Sequence, residues 1–378
     1  HCSLAVVLTE LGRLAEGEVN YRQAILLDTN YLDAYNNLGG MLVEMGRLDE
    51  AKAIYKQAMA IKPDHVEAIH NLSIVQAYMN DLNAAIHSLE NILRLDADNY
   101  GLRAGVLLAI YRFLESDFIG SKKYLLAASA IQEELSREFN AERVYQDFLL
   151  KILNWHEYKK NGTHSLNVEK TIYIVGESHS LVGHQLHIER SDGNFLCKAK
   201  LIMGCKQFHL GNSLRNQYKN KFESIFLSLP KSSDILLTIG EIDCRLDSGI
   251  ISYKSKFPKK EINEIIITTV EDYLAYILKI NSNCQHNIII QGVPCPNIDT
   301  ESHYKKSEVT LLIEVIKYFN SELKNKSKEK GFNFLDVHKL TDRGDGISNT
   351  IWHIDDTHLS PEGFLEAWNR YVPEQKPV

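Results

Sequence analysis

Two kinds of hydrophobic spacing divide the chain. From residue 1 to about 155, apolar positions recur every three to four residues, the period of amphipathic helices. Beyond about 168, short apolar runs alternate with longer helical patterns. The runs are TIYIV (171–175), CKAKLIM (197–203), DILLTI (234–239), NIIIQGV (287–293) and FNFLDV (332–337). Helices are predicted over 216–229, 264–280, 308–326 and 360–372, the second weakened by its β-branched ITTV. Such alternation predicts a parallel sheet covered on both faces, with every strand carboxyl end at one edge. The pattern therefore predicts an all-α N-terminal solenoid and an α/β C-terminal half, joined at the polar NGTHSLN (161–167).

The helical half repeats itself. Residues 32–65 and 66–99 are each 34 long and align without a gap: Leu38 with Leu72, Ala51 with Ala85, Tyr55 with Leu89, Ala58 with Ile92, and Pro63 with Ala97. Small residues stand where two helices approach, and larger ones fill the groove between them. This resembles the tetratricopeptide repeat (TPR), whose period is 34. Gly39, Ala51, Tyr55, Ala58 and Pro63 occupy its signature positions. Running the phase backwards puts Leu4, Tyr21 and Ala24 in an earlier, truncated repeat, so the repeats are expected over 1–99. The first residue is a histidine in mid-pattern, from which a lost natural start is expected. Residues 100–160 keep helical spacing without the signature and are expected to be a cap and linker, leaving 161–378 for the last domain. Asn37 and Asn71 share one repeat phase. The resemblance implies an asparagine ladder holding peptide backbone on the concave face, as in O-linked N-acetylglucosamine transferases; packing against the next helix is the alternative. Either way, a protein or peptide partner is expected in the TPR groove.

Composition narrows the classes. With 44% hydrophobic and 24% charged residues, the 378-residue chain is of ordinary globular type. A net charge of −7, spread along the chain, argues against nucleic-acid binding. The lysines of 317–330 interleave with glutamates and read as a solvated helix face. No apolar run approaches a membrane span and no secretory leader is evident, so a cytoplasmic protein without membrane association is expected. Six cysteines (Cys2, Cys197, Cys205, Cys244, Cys284, Cys295) include no C-x-x-C pair and are expected to be reduced.

Chemistry gathers after the strands. Gly176-Glu177-Ser178-His179 follows the first, Gly204-Cys205-Lys206-Gln207 the second, and Gly240-Glu241-Ile242-Asp243-Cys244-Arg245 the third. Near the end stands HIDDTHLSPEGF, with Asp355 three residues before His358. An Asp-x-x-His turn lets the carboxylate fix one ring nitrogen while the other faces a pocket, which is half of a nucleophilic triad. Ser178 offers the missing hydroxyl, although Gly and Ser also serve plain turns. Asp356 reads as a neighbour, and His353 and Trp352 as pocket lining or packing. His184 and His187, read on a short helical pattern after His179, could share a face, but no third metal ligand accompanies them. Cys205 and Cys244 read as structural.

The C-terminal half, roughly 168–372, resembles an SGNH (GDSL-type) hydrolase domain. Gly176-Glu177-Ser178 stands where that family has Gly-Asp-Ser, and Asp355, His358, Leu359 and Gly363 match its closing Asp-x-x-His-Leu-x-x-x-Gly. The resemblance implies a three-layer, flavodoxin-like fold and an esterase or acyltransferase acting on an acylated small molecule or glycan, with no cofactor and no metal. Ser178 would be the nucleophile, His358 the base and Asp355 its orienting carboxylate. The backbone N–H groups of Ser178 and Gly204 would serve an oxyanion hole. The family's third donor, an asparagine, is replaced by Ile242, which has no polar side chain. Arg245 is expected either to fill that vacancy, to anchor an anionic substrate beside Glu241 and Asp243, or to form an ion pair with one of those acids. Two alternatives stay open: a catalytically impaired scaffold, and a metal-dependent hydrolase built on Glu177, Asp243, Asp355 and His358.

Overall fold

The computed structural model describes residues 1–95, 100–132, 140–160, 170–298 and 305–373. The expected linker 161–167 and the end of the second repeat, with Ala97, lie outside the described residues. The described chain forms two compact units: His1–Leu150 with Leu214–Ile225, and Lys151–Ser213 with Phe226–Val378.

The first unit is all-α. Its helices pair in order: α1 (Cys2–Glu10) with α2 (Leu14–Leu27), α3 (Leu32–Glu44) with α4 (Leu48–Ile61), α5 (Val66–Tyr78) with α6 (Leu82–Leu95), and α7 (Gly101–Leu114) with α8 (Phe118–Gln132). One turn recurs within the pairs. Gly12, Gly46 and Asn80, spaced by the repeat period, all have positive φ (73°, 72° and 63°), and Ser116 (66°) takes the same place between α7 and α8. At each turn the next N–H reaches back to the helix: Arg13 to Leu8 O, Arg47 to Leu42 O, Asp81 to Gln76 O and Asp117 to Arg112 O. This satisfies carbonyls left over at the helix end. The segment expected as a cap thus contains a fourth hairpin of the same geometry, whose sequence lacks the signature residues. Gly39 is small because a Cβ there would lie 2.5 Å from the Tyr55 ring. Ala51 and Ala58 are fully buried for the same reason of close helix approach.

Helix α9 (Asn140–Lys160) belongs to the first unit up to Leu150 and to the second from Lys151. The sheet has six strands: β1 (Lys170–Gly176), β2 (His187–Arg190), β3 (Gly193–Leu201), β4 (Asp234–Thr238), β5 (Asn287–Gln291) and β6 (Asn333–Leu335), in the order β2-β3-β1-β4-β5-β6. All neighbours run parallel except β2, which pairs antiparallel with β3. The five apolar runs all form strands; β2 was not anticipated, because HIER is a short, polar edge strand. Its presence makes the sheet mixed.

Helices α10 (His179–Val182), α11 (Gln207–Gly211), α13 (Glu241–Cys244) and α17 (Val337–Thr341) are single turns at strand ends. Longer ones are α12 (Gln217–Ser228), α14 (Ile250–Lys256), α15 (Ile262–Asn281), α16 (Lys306–Glu329) and α18 (Pro361–Asn369). The ITTV run is helical after all: α15 buries Ile266, Thr269 and Val270, and Thr269 Oγ1 donates to Ile265 O. Burial of that face outweighs the β-branched penalty of a few tenths of a kcal/mol per residue. The first part of α12, read in the sequence as belonging to the sheet half, groups with the helical repeats. All six cysteines are buried and free. Among the described residues, no helix is long and apolar enough to cross a membrane.

Candidate active site

Strand pairing brings the site together. Gly176, at the end of β1, is paired with Leu201 of β3 on one side and Thr238 of β4 on the other. A Cβ on Gly176 would lie 2.1 Å from Thr238 Oγ1, so the strands close here only around glycine. Ser178, Gly204 and Gly240 follow that row by two or three residues each. The chain leaves β1 for β3 on one side, then crosses to β4 on the other. This reversal marks the crevice where open sheets bind ligands.

Asp355 and His358 reach the same crevice. Asp355 Oδ1 accepts the N–H groups of Thr357 (2.9 Å) and His358 (2.7 Å), which ties the turn to its own side chain. His358 Nδ1 lies 2.8 Å from Asp355 Oδ2 and 3.0 Å from Oδ1. Burial would raise the Asp355 carboxyl, but its bonds to His358 outweigh this and hold it well below the usual range. A proton on Nδ1 facing that carboxylate leaves Nε2 as the lone-pair nitrogen, and Nε2 is 2.7 Å from Ser178 Oγ. The helix behind starts sharply: Ser360 caps it by accepting from Gly363 N, and Pro361 fills its first position. A Cβ on Gly363 would lie 2.4 Å from Trp352 O, which accounts for the glycine of the closing motif.

A second pair, not anticipated from the sequence, flanks the serine. Ser178 Oγ donates to Glu177 Oε2 at 2.6 Å, so its hydroxyl has two competing acceptors. Glu177 Oε1 lies 2.6 Å from His179 Nδ1, and His179 Nε2 is 3.0 Å from Thr357 O. Both residues are buried. Burial works against either charge. Their mutual attraction prevails, pulling Glu177 down to about 2 and raising His179 to about 9. Nε2 bonds to the Thr357 carbonyl, while Nδ1 lies against Glu177 without an aligned hydrogen bond. The only trace in the sequence was an acid and a histidine two residues apart.

The expected oxyanion group divides. Arg245 Nε lies 2.9 Å from both oxygens of Glu241, and its Nη2 is 2.6 Å from Oε2. The ion-pair reading of Arg245 is therefore the one observed, and Glu241 is occupied as its partner. Asp243 pairs with neither: it is buried and accepts from Gln207 N (2.7 Å) and Phe208 N (3.2 Å), buttressing the turn after β3. Burial raises its carboxyl to about 7, against those two bonds. Beside it opens a cavity of about 700 Å³, lined by Lys206, Phe208, Tyr253, Lys256, Lys260 and Asp272 among others. His184 and His187 do not share a helix face. His184 lies in the turn after α10 and accepts from Ala199 N at Nδ1, while His187 begins β2. His353 is occupied by Ser348, 2.8 Å from its Nδ1. Cys205 and Cys244 are buried, with thiols pushed far up by desolvation, which suits a structural role. Glu177, His179 and His358 bring ligand atoms within 4.8 Å of one another, but each already engages a partner named above.

In the helical unit, Asn37 is exposed and Asn71 half-buried at matching places on α3 and α5. Asn37 Nδ2 approaches Cys2 Sγ at 4.0 Å. Asn37 lines a cavity of about 320 Å³ with Asn36, whose buried amide finds no partner among the described residues.

Residues 30–98 match the tetratricopeptide repeat family. The N-terminal unit is thus a run of TPR-like helical repeats. Three solved structures are similar to part of the chain. A structure described as a functional characterisation of Pseudomonas aeruginosa pilF is 21% identical, covering 43% of this chain and 71% of that one, with a TM-score of 0.36. MamA is 19% identical over 35% of this chain and 77% of that one, at 0.33. YrrB, a TPR protein with an unusual peptide-binding site, is 16% identical over 43% and 77%, at 0.34. No curated protein matches the chain.

Proposed function

We propose that the chain couples a protein-binding TPR module to a serine hydrolase or acyltransferase of the SGNH type. One observation carries the enzymatic part: Ser178 Oγ stands 2.7 Å from His358 Nε2, whose Nδ1 stands 2.8 Å from Asp355. The order of the parallel strands, second-first-third-fourth-fifth, supports the flavodoxin-like reading of the sheet. In the reaction, His358 Nε2 takes the proton as Ser178 Oγ bonds to an ester carbonyl carbon. The tetrahedral intermediate collapses as the ring returns that proton to the leaving alcohol. Water or an acceptor hydroxyl, deprotonated by the same nitrogen, then releases the acyl group from Ser178. The repeats supply a groove for a protein or peptide partner.

A second reading, a binding scaffold with an impaired site, is favoured by two observations. Ile242 offers no oxyanion donor, and Arg245 is held by Glu241. Losing one such donor costs about 3 kcal/mol, on the order of a hundredfold in rate. Treatment with a fluorophosphonate probe, alongside a screen of short-chain p-nitrophenyl esters with and without sugar acceptors, decides between the two. The hydrolase reading expects labelling and turnover that Ser178→Ala abolishes. An unlabelled, inactive wild-type chain establishes the scaffold.

A further inference from the structure

We propose that Cys295, His338 and Asp342 form a Zn²⁺ site at the carboxyl ends of β5 and β6. The three bring one ligand atom each to within 4.8 Å of one another. His338 and Asp342 are four residues apart, the first on α17 and the second capping it, so they share a face, as paired metal ligands on helices do. Cys295, fully buried, comes from the loop after the neighbouring strand β5.

The surroundings hold this set in place. Thr341, between the two α17 ligands, accepts the Cys295 N–H at Oγ1 (2.9 Å). Asp342 Oδ1 accepts from Gly344 N (2.7 Å) and Gly346 N (2.8 Å), which fixes the carboxylate and leaves Oδ2 outside those bonds. Such supporting bonds orient metal ligands. The Cys295 thiol donates to His338 O at 3.6 Å, enough to satisfy a buried cysteine. The buried His338 Nε2 has no hydrogen-bond partner among the described residues, so it is free to ligate.

The donors choose the metal. A thiolate, an imidazole and a carboxylate suit Zn²⁺, whereas Ca²⁺ and Mg²⁺ call for oxygen alone. On binding, the thiol gives its proton to solvent and a sulfur–zinc bond forms. Two anionic ligands balance the dication. Three protein ligands leave the fourth position for water. The consequence reaches the triad: two residues past Cys295, Asn297 donates from Nδ2 to Asp355 O (3.0 Å) and from N to Asp356 O (3.0 Å). Zinc would fasten this loop to α17 and so steady the turn carrying Asp355.

The site does not depend on the hydrolase reading. Its test is Co²⁺ titration of the full chain, reduced and stripped of metal. One equivalent is expected to raise a sulfur-to-cobalt charge-transfer band that Zn²⁺ then removes. The band should vanish in Cys295→Ser, whose circular dichroism reports folding. Cobalt bound at Glu177, His179 and His358 has no sulfur ligand and gives no such band. Asp342→Asn, which preserves the side-chain shape, should weaken Co²⁺ binding at least tenfold and abolish the rise in thermal midpoint that Zn²⁺ produces in the wild type. No charge-transfer band in the wild type, a band that persists in Cys295→Ser, or an equal Zn²⁺ stabilisation of Asp342→Asn overturns the proposal.

Discussion

Replacing Asp355 by asparagine isolates the step on which the proposed chemistry turns. In the wild type, Oδ1 holds the Thr357 and His358 N–H groups while Oδ2 faces His358 Nδ1 at 2.8 Å. An asparagine keeps its carbonyl oxygen on the two backbone donors, so the turn survives. Its amide NH₂ then replaces Oδ2 and donates to Nδ1. The ring must carry its proton on Nε2, the nitrogen 2.7 Å from Ser178 Oγ, where it can no longer take the serine's proton. The wrong tautomer in a preserved geometry costs about 10⁴ in kcat, or about 5 kcal/mol of transition-state stabilisation. The assay is hydrolysis of p-nitrophenyl acetate, read as kcat/KM, together with the rate of fluorophosphonate labelling at Ser178. Circular dichroism checks that the variant is folded. A folded Asp355→Asn retaining activity within tenfold of the wild type would refute the reasoning, because Nε2 would then not be the base.

Four further outcomes follow from contacts described above. Glu177→Gln strands a buried cation and should cost about 3–5 kcal/mol. His179, raised to about 9, contributes stability that is full below its ordinary value of 6.5 and is lost as pH rises through 9; Glu177, lowered to about 2, contributes stability that is full above 4.5 and is lost as pH falls through 2. Urea midpoints across pH should show the alkaline decline in the wild type and not in Glu177→Gln, and identical profiles would contradict the ion pair. Arg245→Ala should change kcat/KM by less than about tenfold, since Glu241 already holds the guanidinium; a loss beyond about a hundredfold would return Arg245 to the oxyanion hole. Gly12→Ala, with open space around its Cβ but φ of 73°, should cost about 1–2 kcal/mol in urea unfolding from backbone strain alone. Gly39→Ala must displace the Tyr55 ring and should cost about 1–3 kcal/mol in the same measurement; neutrality at either glycine removes the reason given for it.

Much of the architecture could be read from local pattern, and the exceptions share a cause. The repeats were legible because every 34 residues the same contacts recur, so small residues such as Gly39 and Ala51 carry their neighbours' spacing with them. The five parallel strands were legible as short apolar runs set between longer helical patterns. β2 was not, because an edge strand such as HIER needs no apolar run. The fourth hairpin, α7 with α8, was missed as a repeat because its sequence lacks the signature residues and its turn residue, Ser116, stands 36 positions after Asn80 and not 34. Asp355 and His358 were legible as an acid and a histidine on one turn. The use of Arg245 was not, since Glu241 and Asp243 are equally plausible partners in sequence and only the short turn of α13 separates them. His179 stands out in the sequence only as a neighbour of Ser178; its pairing with Glu177 depends on burial, which spacing does not reveal.

The order of the strands has a consequence beyond the crevice at its centre. Both outer strands are the shortest in the sheet: β2 has four residues, among them Glu189 and Arg190, and β6 has three. Strand-by-strand growth onto another chain needs a long, flat row of unpaired backbone groups. Here each margin gives out after a few residues, and one is charged. The long hydrophobic strands, which would be the dangerous templates, are enclosed between these stubs.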